Sequence, residues 1–326
     1  MSDLHVVFGA GQVGAPLVDA LLARAHRVRV VRRSPTLPRA GVDAVQADAS
    51  DRAACVRAAT GADVVHHCLN APYSTSAWAE RLPTLQANLI EAAARADARL
   101  VVLDNLYMLG APSGPIDEAT PVRPCSRKGE IRARLSEALW SAHRAGTVRA
   151  VAGRASHLFG PGVEQSQIGA HLFSRVLSGR SAQVVGDPER LHSFAYAPDV
   201  AHGLAALSQA PETAFGRAHV LPAMPAMTTR AFHEALFAAL GVSPRIDRVG
   251  PIAMRLVGLF VPALRESIEM RYEFDADYVV DDRAFPAAFG VSSTPLDEAL
   301  RETARWVRTR FGEAATRRGV VDAGLA

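Results

Sequence analysis

The stretch Leu4-His5-Val6-Val7-Phe8-Gly9-Ala10-Gly11-Gln12-Val13-Gly14 constrains what this chain can fold into more than any other. A short apolar run breaks into Gly-x-Gly-x-x-Gly, and an apolar-periodic segment over 15–23 follows. Strand, glycine turn and helix in that order open a dinucleotide-binding βαβ unit. Gly9 allows the tight turn out of the strand. Gly11, with no Cβ, lets a pyrophosphate approach the main chain. Gly14 lets the helix pack closely on the sheet. Gly9, Gly11, Gln12, Val13 and Gly14 are therefore the expected phosphate-side contacts, backed by the free N–H groups and dipole of the helix N-terminus. Three glycines near a turn also arise for packing alone, but the strand before and the helix after favour the dinucleotide site.

Further apolar runs alternate with helical patterns. Strands are expected at 28–31, 42–46, 64–68, 100–103 and 148–153, with helices over 51–60, 78–96 and 126–145 between them. Near-continuous apolar strands separated by helices predict a doubly wound parallel α/β sheet of the Rossmann type, covered on both faces. Binding sites in such sheets form at the carboxyl ends of the strands. The rhythm changes after Arg154. Helices are expected over 165–178, 198–207 and 230–240, with Thr228 or Thr229 and Gly241 as caps. A last helix is expected from Thr294, its N-cap, to about Arg310. Residues 1–154, with returning segments near 193–220 and 286–312, read as the dinucleotide domain. Residues 155–285 read as a smaller substrate lobe, and 313–326 as a frayed tail.

Composition excludes several classes. Net charge is +3 with no block of like charge, so nucleic acid is not an expected partner. The apolar stretch 249–264 is interrupted by Pro251, Arg255 and Pro262, which suits a buried helix pair better than a membrane span. The first strand begins at residue 4, leaving no room for a signal peptide. Three scattered cysteines suit a reduced, cytoplasmic setting. The pair His66-His67 points to opposite faces of a strand, so no metal site is expected there. Glu266, Glu269 and Arg271 read as a polar helix face.

The end of the second strand bears on the cofactor. An acidic residue there would accept from an NAD ribose. Arg32, Arg33 and Ser34 stand there instead and suit a 2′-phosphate, favouring NADP(H) over NAD(H), unless the arginines are only solvated. Asp48, after the third strand, could accept from the adenine amine or merely cap its turn. Leu69 and Asn70, after the fourth strand, are expected beside the cofactor.

With these residues in view the chain resembles the extended or atypical short-chain dehydrogenase/reductases, in the NAD-dependent epimerase/dehydratase group. The resemblance rests on the glycine turn, Asp48, Asn88-Leu89-Ile90-Glu91-Ala92-Ala93 and Asp104-Asn105-Leu106-Tyr107-Met108-Leu109-Gly110. It also rests on Gly153-Arg154, Phe159-Gly160-Pro161-Gly162 and His192-Ser193-Phe194-Ala195-Tyr196-Ala197-Pro198-Asp199-Val200-Ala201. It implies a cofactor-dependent oxidoreductase or epimerase/dehydratase-like enzyme acting on a small polar metabolite. It also implies a homodimer through the helices near 78–96 and 126–145.

The departures are pointed. Members of the group carry one more glycine, where this chain has Phe8, and a Tyr-x-x-x-Lys pair that occurs nowhere here; Lys128 is the only lysine. Alignment puts Gly129 and Ala133 in the places of that pair, Asn105 in place of the hydroxyl residue and Leu82 in place of the helical asparagine. Two explanations compete. In one, chemistry has moved to Tyr107 and Asn105, which lie two apart at a strand end and hence on one face, with Lys128 or Arg132 lowering the tyrosine pKa. Otherwise the chain binds a dinucleotide as a silent sensor or scaffold, or passes hydride with water as the proton donor. Tyr73, His157 and Tyr196 sit on loops expected to face the substrate.

Overall fold

The computed structural model describes residues 2–34, 40–250 and 262–323. Residues 251–261 of the expected buried helix pair, and 324–326 of the tail, lie outside them.

Alternation of apolar strand and amphipathic helix yields the expected sheet. Strand β1 (Leu4–Phe8) is buried along its whole length and runs through the glycine turn into α1 (Gly14–Ala23). There follow β2 (Arg27–Arg32), β3 (Val42–Gln46), α2 (Arg52–Ala59), β4 (Val64–His67), α3 (Thr75–Arg95), β5 (Arg99–Asp104), α4 (Arg127–Arg144) and β6 (Arg149–Arg154). Side chains fix three helix starts: Asp51, Ser74 and Ser126 each accept a first-turn N–H of α2, α3 and α4.

The second half contributes short elements. These are β7 (His157–Phe159), α5 (Ala170–Leu177), β8 (Ala182–Val185), β9 (Leu191–His192), β10 (Phe194–Tyr196), α6 (Ala197–Leu207), β11 (Ala218–Val220) and α7 (Thr229–Leu240). Thr228 caps α7, and Gly241 ends it in the left-handed region at φ +69°. Strands β7, β9, β10 and β11 carry no alternation long enough to be read beforehand. Their two or three residues are extended because neighbours pair with them.

The main sheet has seven parallel strands in the order β11-β6-β5-β4-β1-β2-β3. The order reverses direction at β1, so the strand ends beside it form the crevice where such sheets hold ligands. One face carries α1 and α6, packed through Leu17, Leu21, Val200 and Leu204. The other carries α2, α3 and α4 over Val6, Phe8, Val65 and Leu100. Phe8, at the place of the group's extra glycine, is wholly buried in that second layer. A separate aromatic core of Phe159, Phe173, Phe194, Tyr196 and Phe232 holds the carboxyl-terminal lobe together.

Two expectations at the last helix are corrected. It runs Leu296–Ala323, well past Arg310. Thr294 does not serve it as N-cap in the expected way, because its N–H and hydroxyl both donate to the buried Asp199, at 2.8 and 2.6 Å. Among the described residues no helix is long and apolar enough to cross a membrane.

Candidate functional site

The glycine turn has the shape its sequence predicts. Gly9 sits at φ +94°, where a side chain would be strained. A Cβ on Gly14 would lie 1.8 Å from the Gly9 carbonyl oxygen, so helix and turn touch only because that carbon is missing. A Cβ on Gly11 would meet nothing within 4 Å. Gly11 opens instead onto a cleft whose walls include Gln12, Ala15, Pro161 and Gly162. Val13, the N-cap of α1, offers no capping side chain, and no acidic residue occupies the first turn. A close main-chain approach, open space above it and an uncapped helix end make a cradle that fits a pyrophosphate.

Gln12 corrects part of its expected role. Its Oε1 accepts the N–H groups of Glu164 and Gln165, so the side chain ties the turn to the second lobe and leaves only its main chain for phosphate. At the end of β2, Arg32 Nε donates to Ser34 Oγ at 3.0 Å, and Gln46 holds the Arg33 carbonyl. Asp48 Oδ1 accepts both N–H and hydroxyl of Ser50 at 2.9 Å, a turn-capping use. Those two bonds, backbone first, hold its carboxyl below the ordinary value. Leu69 packs toward Gly9, and Asn70 Oδ1 accepts from Arg132 at 3.2 Å.

The carboxyl ends of β4, β5 and β6 carry a second group of residues. Tyr107 lies in a 3-10 turn (Tyr107–Leu109) beyond β5, stacked on Trp78 at 5.9 Å and 15°. Tyr73 meets Trp78 edge-on at 5.7 Å, and its hydroxyl interacts with that of Tyr107. Arg132 lies 4.6 Å over the Trp78 ring. His157 completes this side, 6.4 Å from Tyr107 between ring centres.

The expected catalytic trio does not assemble. β5 ends at Asp104, so strand alternation never reaches Asn105 and Tyr107. Asn105 Oδ1 accepts the Tyr107 N–H at 3.1 Å and shapes the turn. Burial pushes the Tyr107 hydroxyl well above the usual tyrosine value, with the neighbouring Tyr73 and Glu273 adding to the rise. Arg132 interacts with it, but burial and the neighbouring groups outweigh any cation. Lys128 is wholly buried and bonded to Glu266 Oε2 at 2.6 Å, Glu269 Oε1 at 2.8 Å and the Thr75 hydroxyl at 3.1 Å. The expected polar face of Glu266 and Glu269 is thus turned inward onto Lys128. They also accept the Thr75 and Arg127 N–H groups at the N-termini of α3 and α4, locking the lobe onto the sheet. Burial works to raise the Glu266 carboxyl, but its Lys128 and Thr75 bonds win and hold it low.

Gly129 stands at one place of the missing pair. A Cβ there would be 2.5 Å from the Tyr107 carbonyl oxygen, so α4 packs too closely for any side chain. Tyr196 leaves the site altogether. It is buried in the second lobe against Phe159, and its hydroxyl donates to Glu302 at 2.5 Å.

Glu273 is the residue the sequence did not disclose. Its side chain is 1% exposed, 3.2 Å from His157 Nε2, and neither carboxylate oxygen has a hydrogen bond among the described residues. His157 Nδ1 meets His192 Nε2 at 3.0 Å, and burial holds His192 well below the usual histidine value, hence neutral. Tyr278 faces Glu273 without a hydrogen bond of good geometry, and burial pushes its hydroxyl up. Trp78 Nε1 is likewise buried and without a hydrogen bond among the described residues. The only local signal is an acidic residue between two aromatics, Tyr272-Glu273-Phe274, with Tyr278 beyond.

Known proteins agree with this geometry. A model described as the NAD dependent epimerase/dehydratase family matches residues 5–220. A 3-diazoavenalumate denitrifying reductase of Streptomyces sp is 32% identical over 276 residues, covering 78% of this chain and 88% of that relative. Among solved structures, the epimerase Mth375 of Methanothermobacter thermautotrophicus superposes with a TM-score of 0.78 at 15% identity, covering 97% of this chain and 95% of its own. A dTDP-glucose 4,6-dehydratase from Streptomyces venezuelae, with NAD and DAU bound, gives 0.76 at 19%, covering 95% and 98%. With a glycine cradle built for a dinucleotide, and with sequence and fold matched over most of its length, the chain belongs to the NAD-dependent epimerase/dehydratase family and is an enzyme of that kind.

Proposed function

We propose that this enzyme is a reductase that delivers hydride to an electron-poor, cationic aromatic carbon, and that a diazo-bearing aromatic is its substrate class. The observation that carries the reading is Glu273, a buried carboxylate 3.2 Å from His157 Nε2, with no well-formed hydrogen bond among the described residues, beside the carboxyl ends of the central strands. A buried carboxyl group whose oxygens accept no well-formed hydrogen bond is costly to keep, so such a group is kept where a ligand completes it. A positively charged diazonium, flanked by the Trp78, Tyr107 and Phe274 rings, would do so.

A bound reduced dinucleotide supplies the hydride. Replacing the diazonium nitrogen by that hydride forms one C–H bond, breaks one C–N bond and releases N2 with the bond's electron pair. Atoms and charge balance without a proton. The reading therefore accounts for a chain with no Tyr-x-x-x-Lys pair and a tyrosine pushed upward. Here the protein holds the ring between aromatic walls, faces the cation with Glu273, and excludes water behind the Lys128 network. The likeness to a denitrifying reductase supports the same chemistry. Arg32, Arg33 and Ser34, together at the end of β2, support NADP(H). The long helices α3 and α4 offer the faces for a homodimer, to be read by sedimentation.

The test is NADPH oxidation with an aryl diazonium, following N2 release and the hydrogen-substituted product. Glu273→Gln should lower kcat/KM about 30-fold, corresponding to about 2 kcal/mol, with NADPH affinity unchanged. Tight NADPH binding with no turnover on diazo compounds would overturn the reductase in favour of a silent dinucleotide sensor.

A further inference from the structure

At the opposite end of the sheet from the crevice, four titratable side chains meet. Asp3 precedes β1, His5 lies within it, His26 closes the turn between α1 and β2, and His66 lies in β4. One ligand atom each from Asp3, His5 and His26 falls within 4.8 Å of the other two. The rings of His5 and His26 are 4.3 Å apart.

Hydrogen bonding sorts the ring nitrogens. His5 Nδ1 bonds His66 Nε2 at 3.0 Å, leaving His5 Nε2 buried and without a partner among the described residues. His26 Nε2 bonds the Gln209 side chain just past α6, leaving His26 Nδ1 buried and without a partner among the described residues. Each imidazole thus has one nitrogen held by a neighbour and one bare, buried nitrogen. Metal-ligating histidines are arranged this way: the outer bond sets the tautomer and turns the lone pair inward. A bare imidazole nitrogen in a dry interior is otherwise an uncompensated cost.

We propose that Asp3, His5 and His26 form a site for a zinc-class divalent cation. His66 and Gln209 act as outer partners, and water takes the remaining positions. Two imidazoles and a carboxylate suit such an ion better than magnesium or calcium, which take oxygen ligands. Ligands of one tetrahedral zinc lie about 3.3 Å apart, so donors as far as 4.8 Å apart must close by up to about 1.5 Å, which rotation of the Asp3 and His26 side chains would have to supply. Two other charges face the cluster. Arg99 lies 3.5 Å from Asp3 Oδ2, and Asp63 accepts the Leu4 N–H at 2.7 Å. Asp3 would offer the ion the oxygen turned away from Arg99. The site is about 13 Å along β1 from the glycine turn, at about 3.3 Å per residue. Its role is to tie the start of β1 to the ends of α1 and α6, independently of the reaction at the crevice.

The test uses the full chain, stripped with a chelator and titrated calorimetrically with zinc chloride, with NADPH binding as the check on folding. One equivalent of zinc should bind and raise the thermal midpoint, reversibly with chelator. His26→Ala and Asp3→Asn should each weaken zinc more than about tenfold, and Gln209→Ala about tenfold, all three retaining NADPH affinity. Cobalt in place of zinc should give a visible spectrum that His26→Ala changes. No saturable zinc binding by the wild-type chain overturns the site. So does zinc binding that His26→Ala and Asp3→Asn leave unchanged, since the ion would then sit elsewhere.

Discussion

The two halves of the crevice are built in opposite ways. The dinucleotide cradle is assembled from neighbours in the chain: one strand, one turn and one helix over residues 4–23. The aromatic cluster beside it, the substrate pocket of the proposed reaction, draws Tyr73, Trp78, Tyr107, His157, Glu273 and Tyr278 from the ends of β4, β5 and β6 and from a distant helical stretch. In the cradle, function rests on carbon atoms that are absent. In the pocket the proposed function rests on polar atoms that make no hydrogen bond among the described residues. A local, main-chain site can be kept while substrates change; the pocket varies with every loop that reaches it.

The sharpest way to break this contrast is at the join. Lys128 bonds the lobe to the N-termini of α3 and α4, and Lys128→Ala would leave two carboxylates facing each other in a largely buried place. The expected loss is about 3–5 kcal/mol of stability by denaturant unfolding. A loss below about 1 kcal/mol would mean that the pocket wall does not depend on this network.

Within the cradle, Gly14→Ala and Gly11→Ala should separate packing from binding. The methyl of Gly14→Ala meets the Gly9 carbonyl, so about 3 kcal/mol of stability and all measurable NADPH binding should go. Gly11→Ala meets nothing within the protein. Its thermal midpoint should hold while NADPH binds about tenfold more weakly, because the methyl enters the phosphate's space. Equal destabilisation by both would erase the distinction. At the adenosine end, Arg33→Glu should weaken NADPH about tenfold and NADH less than about twofold, by fluorescence titration.

The smallest effect is expected in the pocket. The Tyr107 hydroxyl, pushed above its ordinary value, stays protonated below about pH 10. Tyr107→Phe should change kcat less than about threefold, and the wild-type profile should show no tyrosine limb between about pH 6 and 9. A larger loss, or a limb that the variant abolishes, would restore Tyr107 as acid/base.

Legibility followed the same divide. The first six strands and their order of appearance could be read because each is a continuous apolar run bounded by turn residues. The short strands could not, since two extended residues have no period. Asn105 and Tyr107 were expected on one face, but the strand stops one residue short of them. Tyr196 was expected in the site because its segment passes nearby, yet its ring turns into the aromatic core and its hydroxyl finds Glu302.

The sequence alone determined the parallel sheet and the phosphate cradle, because strand period, glycine spacing and helix start are relations between residues a few places apart. Only the tertiary structure decided that Lys128 is an ion-pair anchor, that Glu273 is buried against His157 with no hydrogen bond of good geometry among the described residues, and that Asp3, His5 and His26 share one corner. Burial and pairing are set by what packs alongside, and those neighbours lie tens to hundreds of residues away.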